Sequence, residues 1–178
     1  MLGKTAAHIF WMFRYLERCE NTARIINASH FISLTQKQNI TNQWDSILNV
    51  GGNKSFFLSK YGEVKKSTVI NFTLRDKTNP SSVLSLIGNA RQNARVVRNN
   101  LTKEVFETIN ETYHILSNIF KRPINEKNLL NTLSIIRTKC QLARGTLHGT
   151  MLRDDTYILA RMGTFIERAD NTSRILAV

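Results

Sequence analysis

The chain has 178 residues, 42% of them apolar and 21% charged, which suits one ordinary domain with a sizeable core and argues against a wholly disordered chain. Its 25 Lys and Arg against 13 Asp and Glu leave a formal charge of +12, but the cations are dispersed from Lys4 to Arg174, the pattern of a solvated face rather than a nucleic-acid track. No apolar run approaches the roughly 18 residues that cross a bilayer, and Thr5 to Phe13 has no small-x-small cleavage site behind it, so a cytoplasmic protein without a membrane span is expected.

The first predicted helix runs from about Thr5, its expected cap, to about Leu34. Ile9, Met12, Leu16, Cys19, Ala23 and Ile26 recur at three and four residues and stack on one core face. From Thr41 to Leu74 the pattern weakens to short apolar groups around Trp44, Ile47 and Leu48, then Phe56-Phe57-Leu58 and Val69-Ile70. Residue propensity there permits a strand over Ser67 to Leu74. Gly51-Gly52-Asn53-Lys54-Ser55 lacks the spacing of a phosphate loop and reads as a turn.

Pro80 and Pro123 each follow turn-like sequence and break the chain into three helical stretches. After the first break, a helix starting at Ser81 or Ser82 carries Val83, Leu86, Ala90, Ala94 and Val97 on one side. Arg91, Arg95 and Arg98 lie on another, as secondary basic candidates. Thr102 caps a helix holding Val105, Ile109, Thr112 and Leu116; Asn125 caps one running toward Gly145 or Gly149; Asp154 or Asp155 caps the last. The short connections predict an all-α, up-and-down helical bundle over residues 1–178 as a single domain.

The most specific feature is a repeat. Glu17-Arg18-Cys19-Glu20-Asn21-Thr22-Ala23-Arg24-Ile25-Ile26 returns as Glu167-Arg168-Ala169-Asp170-Asn171-Thr172-Ser173-Arg174-Ile175-Leu176, identical at six of ten positions (Glu, Arg, Asn, Thr, Arg, Ile). At 100° per residue, Glu17, Asn21 and Arg24 share an arc of roughly 60°, opposite Met12, Leu16, Cys19 and Ala23. The second copy sets Glu167, Asn171 and Arg174 against Met162, Ile166, Ala169 and Ser173. A solvent-facing stripe does not require the same Asn-Thr-x-Arg order twice. The expectation is a partly buried polar network between the copies, with a charged contact from Glu17 or Arg18 to Glu167 or Arg168. Its candidate members are Arg14, Glu17, Arg18, Asn21, Arg24, Glu167, Arg168, Asn171 and Arg174.

Phe10-Trp11-Met12-Phe13-Arg14-Tyr15-Leu16-Glu17-Arg18-Cys19-Glu20-Asn21-Thr22-Ala23-Arg24 resembles the opening of the bacterial alpha-E domain, named for its helices and its Glu-Arg motif. Asn79-Pro80-Ser81-Ser82-Val83, Ala90 to Arg98, and Thr150-Met151-Leu152-Arg153-Asp154 resemble later blocks in the same order. Gln92 and Asn99 stand where that pattern has acids, a plain source for part of the positive charge. The resemblance implies short helices between Thr41 and Leu74. It also implies further helices beyond Val178, so the chain is read as shortened at its C-terminal end and as exposing an apolar strip along its last helix.

Such domains occur beside or fused to ATP-grasp amide ligases and transglutaminase-like peptidases. The resemblance therefore implies a non-catalytic accessory or interaction domain in peptide-like amide-bond metabolism, with those proteins as partners and self-association as a further outcome. A basic helical nucleic-acid binder and an enzyme built on the Glu-Arg stripes of the two repeat helices are the alternatives.

The residues themselves point to no cofactor and no metal. Glu111-Thr112-Tyr113-His114 has E-x-x-H spacing, but a bundle di-metal site needs a second such pair. His148 stands two helical turns from Cys140, too far for direct activation within one helix. Cys19 and Cys140 are far apart in sequence, without a C-x-x-C, and read as small buried hydrophobes.

Overall fold

The computed structural model describes residues 3–35 and 40–178, with side chains from residue 43 onward in the second segment. Eight α-helices and no strand are found among the described residues: α1 (Gly3–Thr35), α2 (Ile40–Gly51), α3 (Lys54–Tyr61), α4 (Lys66–Arg75), α5 (Val83–Val96), α6 (Lys103–Ile119), α7 (Glu126–Thr150) and α8 (Asp155–Leu176). None is long and apolar enough to cross a membrane.

Four of the expected starts are set by side-chain caps. Ser82, Thr102 and Asp154 accept from the amides of Ser85, Val105 and Tyr157, and Asn125 forms a reciprocal box with Asn128. Thr5 caps nothing, because α1 already begins at Gly3. The segment open to strand, Ser67 to Leu74, is helical: α4 buries Val69, Ile70, Phe72, Thr73 and Leu74, so packing overrides β-propensity. Asn79 explains the Asn-Pro break, since its buried amide donates to the Phe72 carbonyl and its oxygen accepts from the Ser81 amide, leaving Pro80 to turn the chain.

The long α1 is the mast, packed against α5, α7, α8 and α2. Its sequence carries apolar residues on more than one side because it has neighbours on several sides, and Ile9, Met12, Phe13, Leu16, Cys19, Ala23 and Ile26 are fully enclosed. Cross-helix contacts fix the directions. His8 meets Asn93 while Cys19 meets Val83 between α1 and α5, Arg91 meets Asn110 while Gly88 faces Tyr113 between α5 and α6, and Glu111 meets Lys139 while Thr102 meets Thr150 between α6 and α7, each pair of contacts running in opposite chain directions. Consecutive helices from α5 to α8 therefore run up and down. α8 lies parallel to α1, with Phe10 against Gly163, Arg14 against Glu167 and Arg18 against Glu167. The helices α2 to α4 fold over one end of this frame around Trp44 and the packed rings of Phe57, Tyr61 and Phe72.

Candidate functional site

The parallel pairing of α1 and α8 sets the two copies of the repeat side by side. Glu167, 2% exposed, accepts from Arg14 Nε at 2.8 Å and from Arg18 through Nε at 2.5 Å and Nη2 at 2.9 Å. Glu17, 3% exposed, accepts from Arg168 Nε at 3.0 Å and Nη2 at 3.3 Å. The glutamate of each copy is thus held by the arginine of the other, the arrangement of a local two-fold axis between parallel helices. A fork of two N–H donors on one carboxylate fixes orientation as well as charge.

Residues outside the repeat complete the network. Arg144 of α7 reaches Glu17 Oε2 at 3.0 Å and Glu20 Oε2 at 2.5 Å, and Gln141, one turn earlier, donates to Glu20 Oε1 at 3.2 Å. Arg24 adds two bonds to Glu20 across one turn of α1. Asp170, the counterpart of Glu20, takes Arg174 in the same i,i+4 way and has Arg14 at 3.9 Å. Burial pushes the Glu20 carboxyl up, but the bonds from Arg24, Arg144 and Gln141 outweigh it and hold the group below its ordinary value.

A depressed carboxyl contributes stability that is complete above its unfolded value near 4.3 and is lost as pH falls through its folded one. Glu20→Gln is therefore expected to flatten the loss of unfolding free energy between about pH 5 and pH 3. Denaturant melts across that range test it, and an unchanged slope would mean that Glu20 is not paired in solution.

The other expected stripe members fall in different places. Asn21 is buried, and its Nδ2 has no hydrogen-bond partner among the described residues. Asn171 and Arg174 line a cavity of about 180 Å³ at the end of the seam, together with Arg18, Thr22, Asn53 and Asp170. Gly52, at φ 66°, turns the α2–α3 connection so closely onto this cavity that a Cβ there would stand 3.4 Å from Arg174 Nη1. Arg91, Arg95 and Arg98 are not brought to the seam. Arg91 bonds Asn110 and stacks on Tyr113, Arg98 lies over Phe106, and Arg95 is exposed.

Burial differs between the copies. α1 buries Glu17, Glu20 and Asn21 on its polar side, leaving Arg24 exposed, and also buries the opposite apolar face, whereas α8 buries Ala160, Gly163, Thr164 and Glu167 and turns the opposite side outward. Ile158, Met162, Phe165, Ile166, Ile175 and Leu176 are 43–82% exposed. The two thiols that are distant in sequence meet where α1 packs on α7: Cys19 and Cys140 are free and buried side by side, and burial, with Cys140 adding to it, pushes the Cys19 thiol well up. Glu111 pairs with Lys139 and His114 is exposed, and no metal-holding cluster of His, Cys, Asp or Glu occurs among the described residues.

Glu20, Gln141, Arg144, Asp170 and Gly163 were outside the sequence-based candidate set. Glu20 and Asp170 could have been found, since they match within the repeat. Gln141 and Arg144 belong to an unrepeated helix and carried no signal.

An all-α bundle whose two Glu-Arg dipeptides pair crosswise defines the class of protein. The family model for Alpha-E, described as a predicted alpha-helical domain with a conserved ER motif, matches residues 1–178, and the chain belongs to that family. No curated protein and no solved structure matches it.

Proposed function

We propose that this domain is a non-catalytic helical accessory that docks on an ATP-grasp amide ligase or a transglutaminase-like peptidase in peptide-like amide-bond metabolism. The observation that carries the docking is the outward side of α8, where Ile158, Met162, Phe165, Ile166 and Leu176 form an apolar strip on the side opposite Glu167. Contiguous apolar surface of several hundred Å² is characteristic of interaction sites. The kind of partner comes from the family resemblance.

The Glu-Arg seam supports an accessory role over the two alternatives. Catalysis by the stripes would need a free carboxylate, whereas Glu17, Glu20 and Glu167 each accept from arginine. Binding along a nucleic-acid backbone would need an extended run of unpaired cations to follow successive phosphates, whereas along this seam Arg14, Arg18, Arg24, Arg144, Arg168 and Arg174 each have a carboxylate partner.

Sedimentation of the purified chain is expected to show concentration-dependent self-association. Addition of an ATP-grasp ligase from the same genome should replace it with a defined complex that Met162→Lys weakens at least about tenfold, since a charge must then be desolvated in the contact. A clean monomer at high concentration that also ignores the ligase and the peptidase sinks the proposal.

A further inference from the structure

Arg144 and Arg168, which hold Glu17, also line a second cavity of about 280 Å³ between α7 and α8, together with His148, Arg161, Thr164 and Phe165. No acidic side chain lines it. Arg161 has no carboxylate within ion-pair distance among the described residues: its Nη1 donates to His148 Nε2 at 2.7 Å, and its guanidinium lies 4.5 Å from the centre of the Phe165 ring. Arg168 approaches the same ring at 5.6 Å.

Donation from Arg161 makes Nε2 the acceptor. His148 is then neutral with its proton on Nδ1, which donates to the Tyr157 hydroxyl at 2.7 Å. Burial lowers the proton affinity of His148, and Arg161, Arg153 and Arg144 lower it further. From α7, the following turn and α8, the groups facing the imidazole are thus cations and one phenol. Glu17 and Glu20 balance Arg144 and Arg168 from the seam side, but Arg161 has no carboxylate, and Arg144 Nε and Arg168 Nη1 are not used by those glutamates, so the cleft keeps an excess of positive charge that gains when an anion enters.

We propose that the cleft between α7 and α8 is a phosphate-binding site, in which a phosphoryl dianion is held by Arg161, Arg168 and Arg144 beside His148. A carboxylate offers two oxygens, and Glu17 already shows two arginines saturating one. A phosphoryl group offers three to guanidinium donors arriving from two helices. The cavity is larger than a single phosphate, so the ligand is a diphosphate or a small phosphate ester. The bound dianion returns proton affinity to His148, because an opposite charge nearby favours the imidazolium.

Calorimetric titration with pyrophosphate and with phenyl phosphate, at pH 7 and constant ionic strength, separates the inorganic from the ester source. One-to-one binding of either probe, weakened at least about tenfold by Arg161→Gln and unchanged by Arg95→Gln at an exposed position of α5, is the expected result. Arg161 is in no ion pair and contacts only the neutral His148 ring nitrogen and the half-exposed Phe165 ring, so its replacement should shift the melting temperature little. The unaltered protein supplies a reading that needs no variant: saturating probe should raise the His148 titration midpoint followed by its imidazole resonances. Absence of binding by both probes, equal binding by Arg161→Gln, or an unmoved His148 midpoint at saturation overturns the site.

Discussion

Glu167→Ala is expected to lower the unfolding free energy by about 3 kcal/mol, the cost of leaving partly buried arginines without their counter-charge. Glu167 is 2% exposed and is the shared acceptor for Arg14 and Arg18, whose side chains are 15% and 30% exposed. Alanine deletes the acceptor and retains both cations. Glu17→Ala should cost less, because Arg168 is 51% exposed and can turn to water, and Arg144 keeps its second carboxylate, Glu20, at 2.5 Å. The expected order is therefore Glu167 above Glu17, with Glu167 well above the roughly 1 kcal/mol or less of an exposed pair. Urea denaturation of the two single variants measures this directly. A change below about 0.5 kcal/mol for Glu167→Ala would place the seam in solvent and remove the buried network.

The cross-pairing also predicts which residues share an energy. Glu17 with Arg168, and Glu167 with Arg18, are direct partners, whereas Glu17 and Arg18 are sequence neighbours aimed at opposite acceptors. The Glu-Arg dipeptide is therefore a unit in sequence without being a pair in space: each copy supplies one acceptor and one donor to the other. This accounts for why both halves of the motif recur together. A lone copy would leave a carboxylate and a guanidinium unmatched in a largely enclosed seam.

Much of this is legible in the sequence. Capping chemistry marked the starts of α5, α6, α7 and α8 because Ser82, Thr102, Asn125 and Asp154 act locally, through an amide three residues on. The repeat indicated that α1 and α8 meet. It could not show that their apolar faces have opposite fates, because Met12 and Met162 occupy equivalent positions and only the neighbours differ: α5 and α7 flank α1, while Met162 is 46% exposed. Nor could it identify the third wall of the seam. Arg144 and Gln141 sit in α7 with no recurrence to flag them, and Cys140 reaches Cys19 only through the antiparallel packing of α1 on α7. Tertiary neighbours decide these features, and a single sequence does not contain them as a pattern.

Gly163→Ala should destabilise the fold although glycine is a poor helix former and alanine a good one. At a free helical position the exchange gains up to about 1 kcal/mol. At Gly163 a Cβ would stand 2.3 Å from the Phe10 carbonyl oxygen and 3.2 Å from its carbon, both backbone atoms of α1 that no rotamer change can move. To restore ordinary contact at 3.4 Å, α8 must retreat by the difference, roughly 1 Å. Gly163 lies one turn before Glu167 on the same buried side, so the retreat also stretches the 2.8 Å bond from Arg14 and the fork from Arg18. Overpacking of this kind costs about 1–3 kcal/mol, and lengthened bonds in the seam add to it, so the net sign is a loss. Gly145 on α7 is the control: it is exposed, nothing lies within 4 Å of its Cβ position, and Gly145→Ala should leave stability unchanged or raise it by up to about 1 kcal/mol. Parallel urea melts of the two variants decide the matter. If Gly163→Ala proves as stable as Gly145→Ala, then α1 and α8 do not approach at this register, and the reciprocal pairing of the two Glu-Arg copies falls with it.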